Sequence, residues 1–197
     1  MAKLLGTAVV LLVLIGSMTP QRASAAVIGY WAPNMNGAIE VSPNNSTGTG
    51  TAWVTYDNVA HTMRVEATFS GLSSNTSAAH IHTPTAVAFT GGASVATQTP
   101  SFAGFPLGVT AGIMDNTFDL TLASSWNSSY VTAKGGIPQA ETAFFQEMDA
   151  GKAYFNIHTV NFGVGEIRGF MLVPEPGALT LLGAAGVVAM IRRRRAI

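Results

Sequence analysis

The 197-residue chain carries ten basic and ten acidic side chains and no cysteine. The missing cysteine excludes a disulfide framework, thiol catalysis and thiolate metal sites, so packing alone must hold the fold. Six basic residues sit near the termini (Lys3, Arg22, Arg192, Arg193, Arg194 and Arg195), which leaves residues 26–173 four basic against nine acidic, or 4 − 9 = −5; a sparse acidic surface of this kind excludes nucleic acid and anionic membrane as partners.

Residues 1–25 read as a secretory signal peptide with its own signal helix. Lys3 gives a positive start, 4–15 an apolar run, and Ala23-Ser24-Ala25 an A-x-A site that places cleavage before Ala26. The Sec machinery is the implied partner. Residues 26–173 then have the size of one domain with a sizeable core.

The interior reads mainly as strands. Residues 27–31 and 37–42 are expected as early strands. Residues 50–57 alternate Ala52, Val54 and Tyr56 against Thr51, Trp53 and Thr55, and 62–70 alternate Met63, Val65, Ala67 and Phe69 against Thr62, Arg64, Glu66 and Thr68. Period two with one polar face marks half-buried antiparallel strands, and the short polar link 57–61 makes them a hairpin. A turn at 71–74 precedes a short strand at 78–83, which Pro84 stops. Residues 85–106, rich in Gly, Thr, Ala and Pro, form a long connection with one or two short strands. Residues 117–122 are the next strand. Residues 124–136 show no period and are assigned to no element. A helix is expected near 138–150: Pro138 suits its first turn, Phe144, Phe145 and Met148 make its apolar stripe, and Gly151 caps it. Strands at 152–158 and 165–171 close the domain.

The C-terminal segment 174–197 is a third unit. Pro174-Glu175-Pro176 precedes a charge-free run, 177–191, whose one polar side chain is Thr180, and then come Arg192, Arg193, Arg194 and Arg195. The run is somewhat shorter than the ~20 residues that span a bilayer comfortably. It is nonetheless expected as a transmembrane helix, with the arginines kept cytoplasmic. This order resembles the PEP-CTERM sorting signal of Gram-negative bacteria. The resemblance implies inner-membrane retention, processing by an exosortase, and a final place at the cell surface or outside the cell. A permanent tail anchor is the competing reading.

A second resemblance lies inside the domain. Ser70-Gly71-Leu72 and Ala78-Ala79-His80-Ile81-His82 are followed by Gly151-Lys152-Ala153-Tyr154-Phe155-Asn156-Ile157-His158-Thr159 and Gly165-Glu166-Ile167-Arg168-Gly169. Together they resemble the CHRD (chordin-type) domain. That resemblance implies an all-β, Greek-key β-sandwich, Ig-like and similar to the Cu,Zn superoxide dismutase barrel.

Ile81-His82-Thr83 is echoed by Ile157-His158-Thr159. Alternation turns each Ile to the core, puts His80 and His82 on the opposite face, and places Tyr154, Asn156 and His158 on the matching face of the later strand. If the two strands neighbour, three imidazoles converge, a reasonable set for Cu or Zn. The alternative is that the histidines hydrogen-bond backbone or hydroxyl groups and pin the strands. No cofactor is otherwise expected.

No G-x-S-x-G elbow is present and the carboxylates are scattered, so no catalytic residue is assigned and no enzyme is expected. Glu166 and Arg168, two residues apart, suggest an ionic contact. Trp31, Trp53 and Trp126 with Tyr30, Tyr56 and Tyr130 offer aromatic faces for sugars or for packing. The expected function is that of an exported structural or interaction protein of the bacterial envelope or exopolysaccharide, with exopolysaccharide or envelope proteins as further partners. The alternative is a metal-binding module using His80, His82 and His158.

Overall fold

The computed structural model describes residues 27–174. The signal segment with Ala23, Ala25 and Ala26 lies outside the described residues. So do Glu175, Pro176, the tail helix and its four arginines. Among the described residues no helix is long and apolar enough to cross a membrane.

Among the described residues seven strands and two α-helices follow in chain order: β1 (Val27–Asn36), β2 (Thr49–Asp57), β3 (Thr62–Ser70), β4 (Thr76–His82), β5 (Gly112–Asp119), α1 (Ser128–Lys134), α2 (Ile137–Asp149), β6 (Tyr154–Thr159) and β7 (Ile167–Phe170). The strands form one hydrogen-bonded sheet in the order β4-β6-β7-β1-β2-β3-β5, and every pair in it is antiparallel. The all-β expectation therefore holds; the hydrogen bonding itself defines one sheet and does not carry the finer Greek-key sandwich description.

The sheet is curled. Phe118 on β5 and Phe155 on β6 lie five strand positions apart, a separation of about 24 Å in a flat sheet. Yet both rings contact Phe102, with centroids 5.2 and 5.8 Å away. The side enclosed by the curl holds the core, where Tyr30, Val54, Met63, Ile81, Phe155, Ile157 and Ile167 are fully buried. Helix α2 packs on this core through Phe144, Phe145 and Met148; Phe145 lies parallel on Tyr56 at 3.5 Å.

The hairpin β2–β3 and helix α2 stand where the periodicities place them, with Pro138 in the first turn of the helix and Gly151 beyond it at φ +67°. Several expectations change, and the one or two short strands expected within 85–106 are only isolated bridges at Val87, Thr90, Val95 and Thr97. Residues 37–42 are not a strand. A bulge between Ala32 and Met35 keeps both side chains in the core and lengthens β1 to Asn36; the Asn36 side chain then accepts from the Ile39 amide and turns the chain through Gly37–Ile39. The strand expected at 117–122 lies at Gly112–Asp119, because β3 begins at Thr62, the partner of Asp119, and offers nothing further to pair. Asn116, an intermediate position between buried Met114 and Phe118, hid the alternation. The unassigned stretch holds α1, opened by the Asn127 side chain on the Ser129 amide and closed by left-handed Gly135.

Strand β4 stands at one end of the sheet, but its free edge is covered by the 83–111 connection. Ala96 and Phe102 donate backbone N–H to the Ile81 and Ala79 carbonyls. The Ile81 and Ala79 amides donate in turn to Thr97 Oγ1 at 2.9 Å and Ser101 Oγ at 3.0 Å. Side-chain hydroxyls thus complete a ladder that a neighbouring strand would otherwise supply.

Candidate metal centre

Register puts the two histidine strands side by side. β4 pairs with β6 so that His80 faces Asn156, His82 faces Tyr154 and Ala78 faces His158. Ile81 and Ile157 point into the core, as alternation requires. The opposite face is covered as well, since His80, His82 and His158 are 7–8 % exposed.

The three imidazoles converge. Ring centroids are 5.6 Å apart for His80 and His82, 5.0 Å for His80 and His158, and 5.6 Å for His82 and His158. One ring nitrogen from each lies within 4.8 Å of one from each of the others. Three points no farther apart share a centre at most about 2.8 Å from each (4.8 divided by √3). A contraction of roughly 0.8 Å reaches the zinc–nitrogen bond length.

Each ring is also oriented. His80 Nε2 lies 2.5 Å from the Pro100 carbonyl, His82 Nδ1 2.9 Å from that of Ala93, and His158 Nδ1 3.1 Å from that of Gly163. A carbonyl only accepts, so each of these nitrogens carries the proton and the other nitrogen of the ring is a free lone pair. Those other nitrogens, His80 Nδ1, His82 Nε2 and His158 Nε2, are buried and have no partner. His82 is further held by stacking on Tyr154 at 4.9 Å, with the Arg168 guanidinium 4.7 Å from the tyrosine ring. The backbone-bonding alternative is thus met at one nitrogen of every ring and leaves the second unexplained.

Burial keeps all three rings neutral. It depresses His80 below the usual histidine value, takes His82 to about 4 against the opposing bond to Ala93, and takes His158 to about 4 with help from neighbouring His80. A neutral imidazole with one nitrogen's lone pair unpartnered and the N–H of the other tied to a carbonyl is the form that ligates a metal.

Behind the histidines stands a polar group of Asn156, Arg168 and Glu40, of which sequence alone did not single out Glu40. Asn156 donates from Nδ2 to Glu40 Oε2 at 3.3 Å, and Arg168 Nε stands 4.0 Å from the same oxygen. Burial raises the Glu40 carboxyl to about 7, against the lowering by Arg168 and Asn156. Arg168 donates to the carbonyls of Ile39 and Gly91. Period two already set Asn156 beside His158; Glu40, just after a 3-10 turn, carries no such signal. The expected Glu166–Arg168 contact is replaced: Arg168 turns to Glu40, and Glu166 bonds Ser46, Ser73 and Thr159. His61 sits apart on the hairpin, against Glu141. The aromatic set divides too, with Tyr30, Trp126 and Tyr130 in the core and Trp31 and Trp53 paired on the outer face at 6.3 Å.

These features define an all-β domain of one curled antiparallel sheet with a buried tris-histidine cluster. A family model described as CHRD domain matches residues 32–171. That span is well over half of the chain, and the protein belongs to the CHRD domain family, an extracellular class of domain. Neither a curated protein nor a solved structure matches the chain.

Proposed function

We propose that this domain is an exported binding module for a copper or zinc ion, held by His80, His82 and His158. One observation carries the reading. Three buried imidazoles converge, each with one nitrogen tied to a carbonyl and the other left without a partner. Buried polar atoms are nearly always bonded, so three orphan lone pairs on neighbouring rings favour an ion over a purely structural role. The module is not an enzyme in this reading. Its ligands are neutral and buried behind the 83–111 connection, which suits storage, transfer or structural use of the ion.

The terminal segments supply the setting. The signal peptide would pass the chain to Sec, and the PEP-CTERM-like tail would hold it at the inner membrane until an exosortase acts. The domain would then reside at the cell surface or in the exopolysaccharide, as an envelope-associated interaction protein. The acidic balance of 26–173 and the outer-face pair of exposed Trp31 and half-buried Trp53 are compatible with a glycan-rich, nucleic-acid-free environment.

Elemental analysis of the purified protein after incubation with zinc or copper and desalting tests the metal. About one ion per chain is expected, with a higher melting temperature. His82→Ala combined with His158→Ala abolishes both effects. Retention of less than about a tenth of an ion, with no thermal shift, overturns the proposal.

A further inference from the structure

Among the described residues five buried side-chain atoms lack a hydrogen-bond partner: His80 Nδ1, His82 Nε2, His158 Nε2, Glu40 Oε1 and Asn156 Oδ1. The metal reading above uses the three nitrogens and leaves two oxygens. All five belong to one region of the fold. Asn156 is 1 % exposed, faces His80 across the strand pair, and precedes His158 by two residues on the same side of β6. Its amide orientation is set by the Glu40 carboxyl group. Asn156 Nδ2 donates to Glu40 Oε2, which accepts both when the carboxyl is ionised and when its proton sits on Oε1, so the carboxamide oxygen is the end left free. Gly165 leaves room for this arrangement: at φ +129°, a Cβ there would stand 2.7 Å from both amide atoms of Asn156 and 2.8 Å from Glu40 Oε2.

We propose that Asn156 Oδ1 is the fourth donor of the centre, making it a three-histidine, one-carboxamide site for a divalent ion, with Glu40 as the residue that positions the amide. The proposal rests on the tris-histidine reading. Its chemistry separates the candidate ions. A carbonyl oxygen is a hard donor that adds to the binding of Zn(II) or Cu(II) and adds little for soft Cu(I), for which the imidazoles suffice. The same pattern of one locked end and one free end that orients each imidazole recurs in the amide, with the Glu40 carboxyl oxygen in place of a backbone carbonyl.

The test compares the full-length chain with Asn156→Ala, Glu40→Gln and the double variant His82→Ala/His158→Ala. Zinc affinity is read by competition with a chromophoric chelator, and Cu(I) affinity with a Cu(I)-selective probe. Thermal melting without metal checks that each variant folds, and Asn156→Ser substitutes if the alanine variant does not. Asn156→Ala is expected to weaken zinc by roughly 10–100-fold while changing Cu(I) by less than about threefold; Glu40→Gln weakens zinc by about three- to tenfold. Unchanged zinc affinity in Asn156→Ala, or equal losses for both ions, overturns the fourth-donor assignment while leaving the histidine site intact. Absence of zinc and Cu(I) binding in the unaltered chain overturns the histidine reading, and this inference with it.

Discussion

Glu166 shows how much one residue ties together. It is fully buried immediately before β7, and its carboxylate accepts from Ser46 Oγ at 2.5 Å, the Ser73 amide at 2.6 Å and Thr159 Oγ1 at 2.6 Å. These donors come from the β1–β2 link, the β3–β4 link and β6. Burial alone would raise its pKa, but the bonds from Ser46, Thr159 and Ser73 outweigh it and the group lies below its usual range. Glu166→Gln keeps the volume yet points an amide N–H₂ at groups that already donate. A loss of about 2–4 kcal/mol is expected in urea unfolding at pH 7, because a buried donor is left without an acceptor. A loss below about 0.5 kcal/mol would show that the links do not depend on this carboxylate.

At the scale of elements, the 83–111 connection serves two neighbours at once. Thr97 and Ser101 hydroxyls, with the amides of Ala96 and Phe102, complete the edge of β4. The carbonyls of Ala93 and Pro100 orient His82 and His80 from the same segment. Thr97→Val keeps the shape of a fully buried side chain and removes the acceptor for the Ile81 amide. It should cost about 1–3 kcal/mol and speed hydrogen exchange at Ile81. Exchange at Ile81 unchanged from the parent would show that the edge is held by other means. This connection also marks where sequence legibility ends. Strands β2 and β3 announce themselves because each buries one face only, and α2 because Pro138, its apolar stripe and Gly151 agree. The histidine convergence followed from alternation plus an assumed β4–β6 pairing. The carbonyl partners, Glu40 and the way the Asn156 amide turns were not legible, since they depend on where irregular backbone lies against the sheet, although alternation already put Asn156 on the histidine face. Residues 37–42 misled because a bulge, which no periodicity records, moved the turn.

For the molecule as a whole, the buried face of β4 and β6 sets the response to pH. In the unfolded chain a histidine titrates near 6.5, whereas folded His82 and His158 titrate at about 4 and His80 is lowered in the same direction. Unfolding below pH 6.5 therefore takes up protons, and stability falls as the medium is acidified. Glu40 acts oppositely between about pH 4.5 and 7: raised to about 7 by burial, it is protonated in the folded state there and ionised in the unfolded one, so it releases a proton on unfolding. Two histidines against one carboxyl leave a net uptake of about one proton near pH 5, to which His80 adds. The metal-free protein should lose roughly 1.4 kcal/mol per pH unit between 6.5 and 4.5 and change little from 6.5 to 7.5. Urea unfolding at half-unit pH steps measures this slope. His82→Ala/His158→Ala should flatten the acid limb, because the groups that take up protons are gone. A double variant that keeps the full slope would assign acid sensitivity to the carboxylates. The same linkage governs loading, since a metal needs the imidazoles unprotonated. Zinc should raise the melting temperature at pH 7 and progressively less on approach to pH 4, so that an acid environment both weakens the apo fold and empties the site.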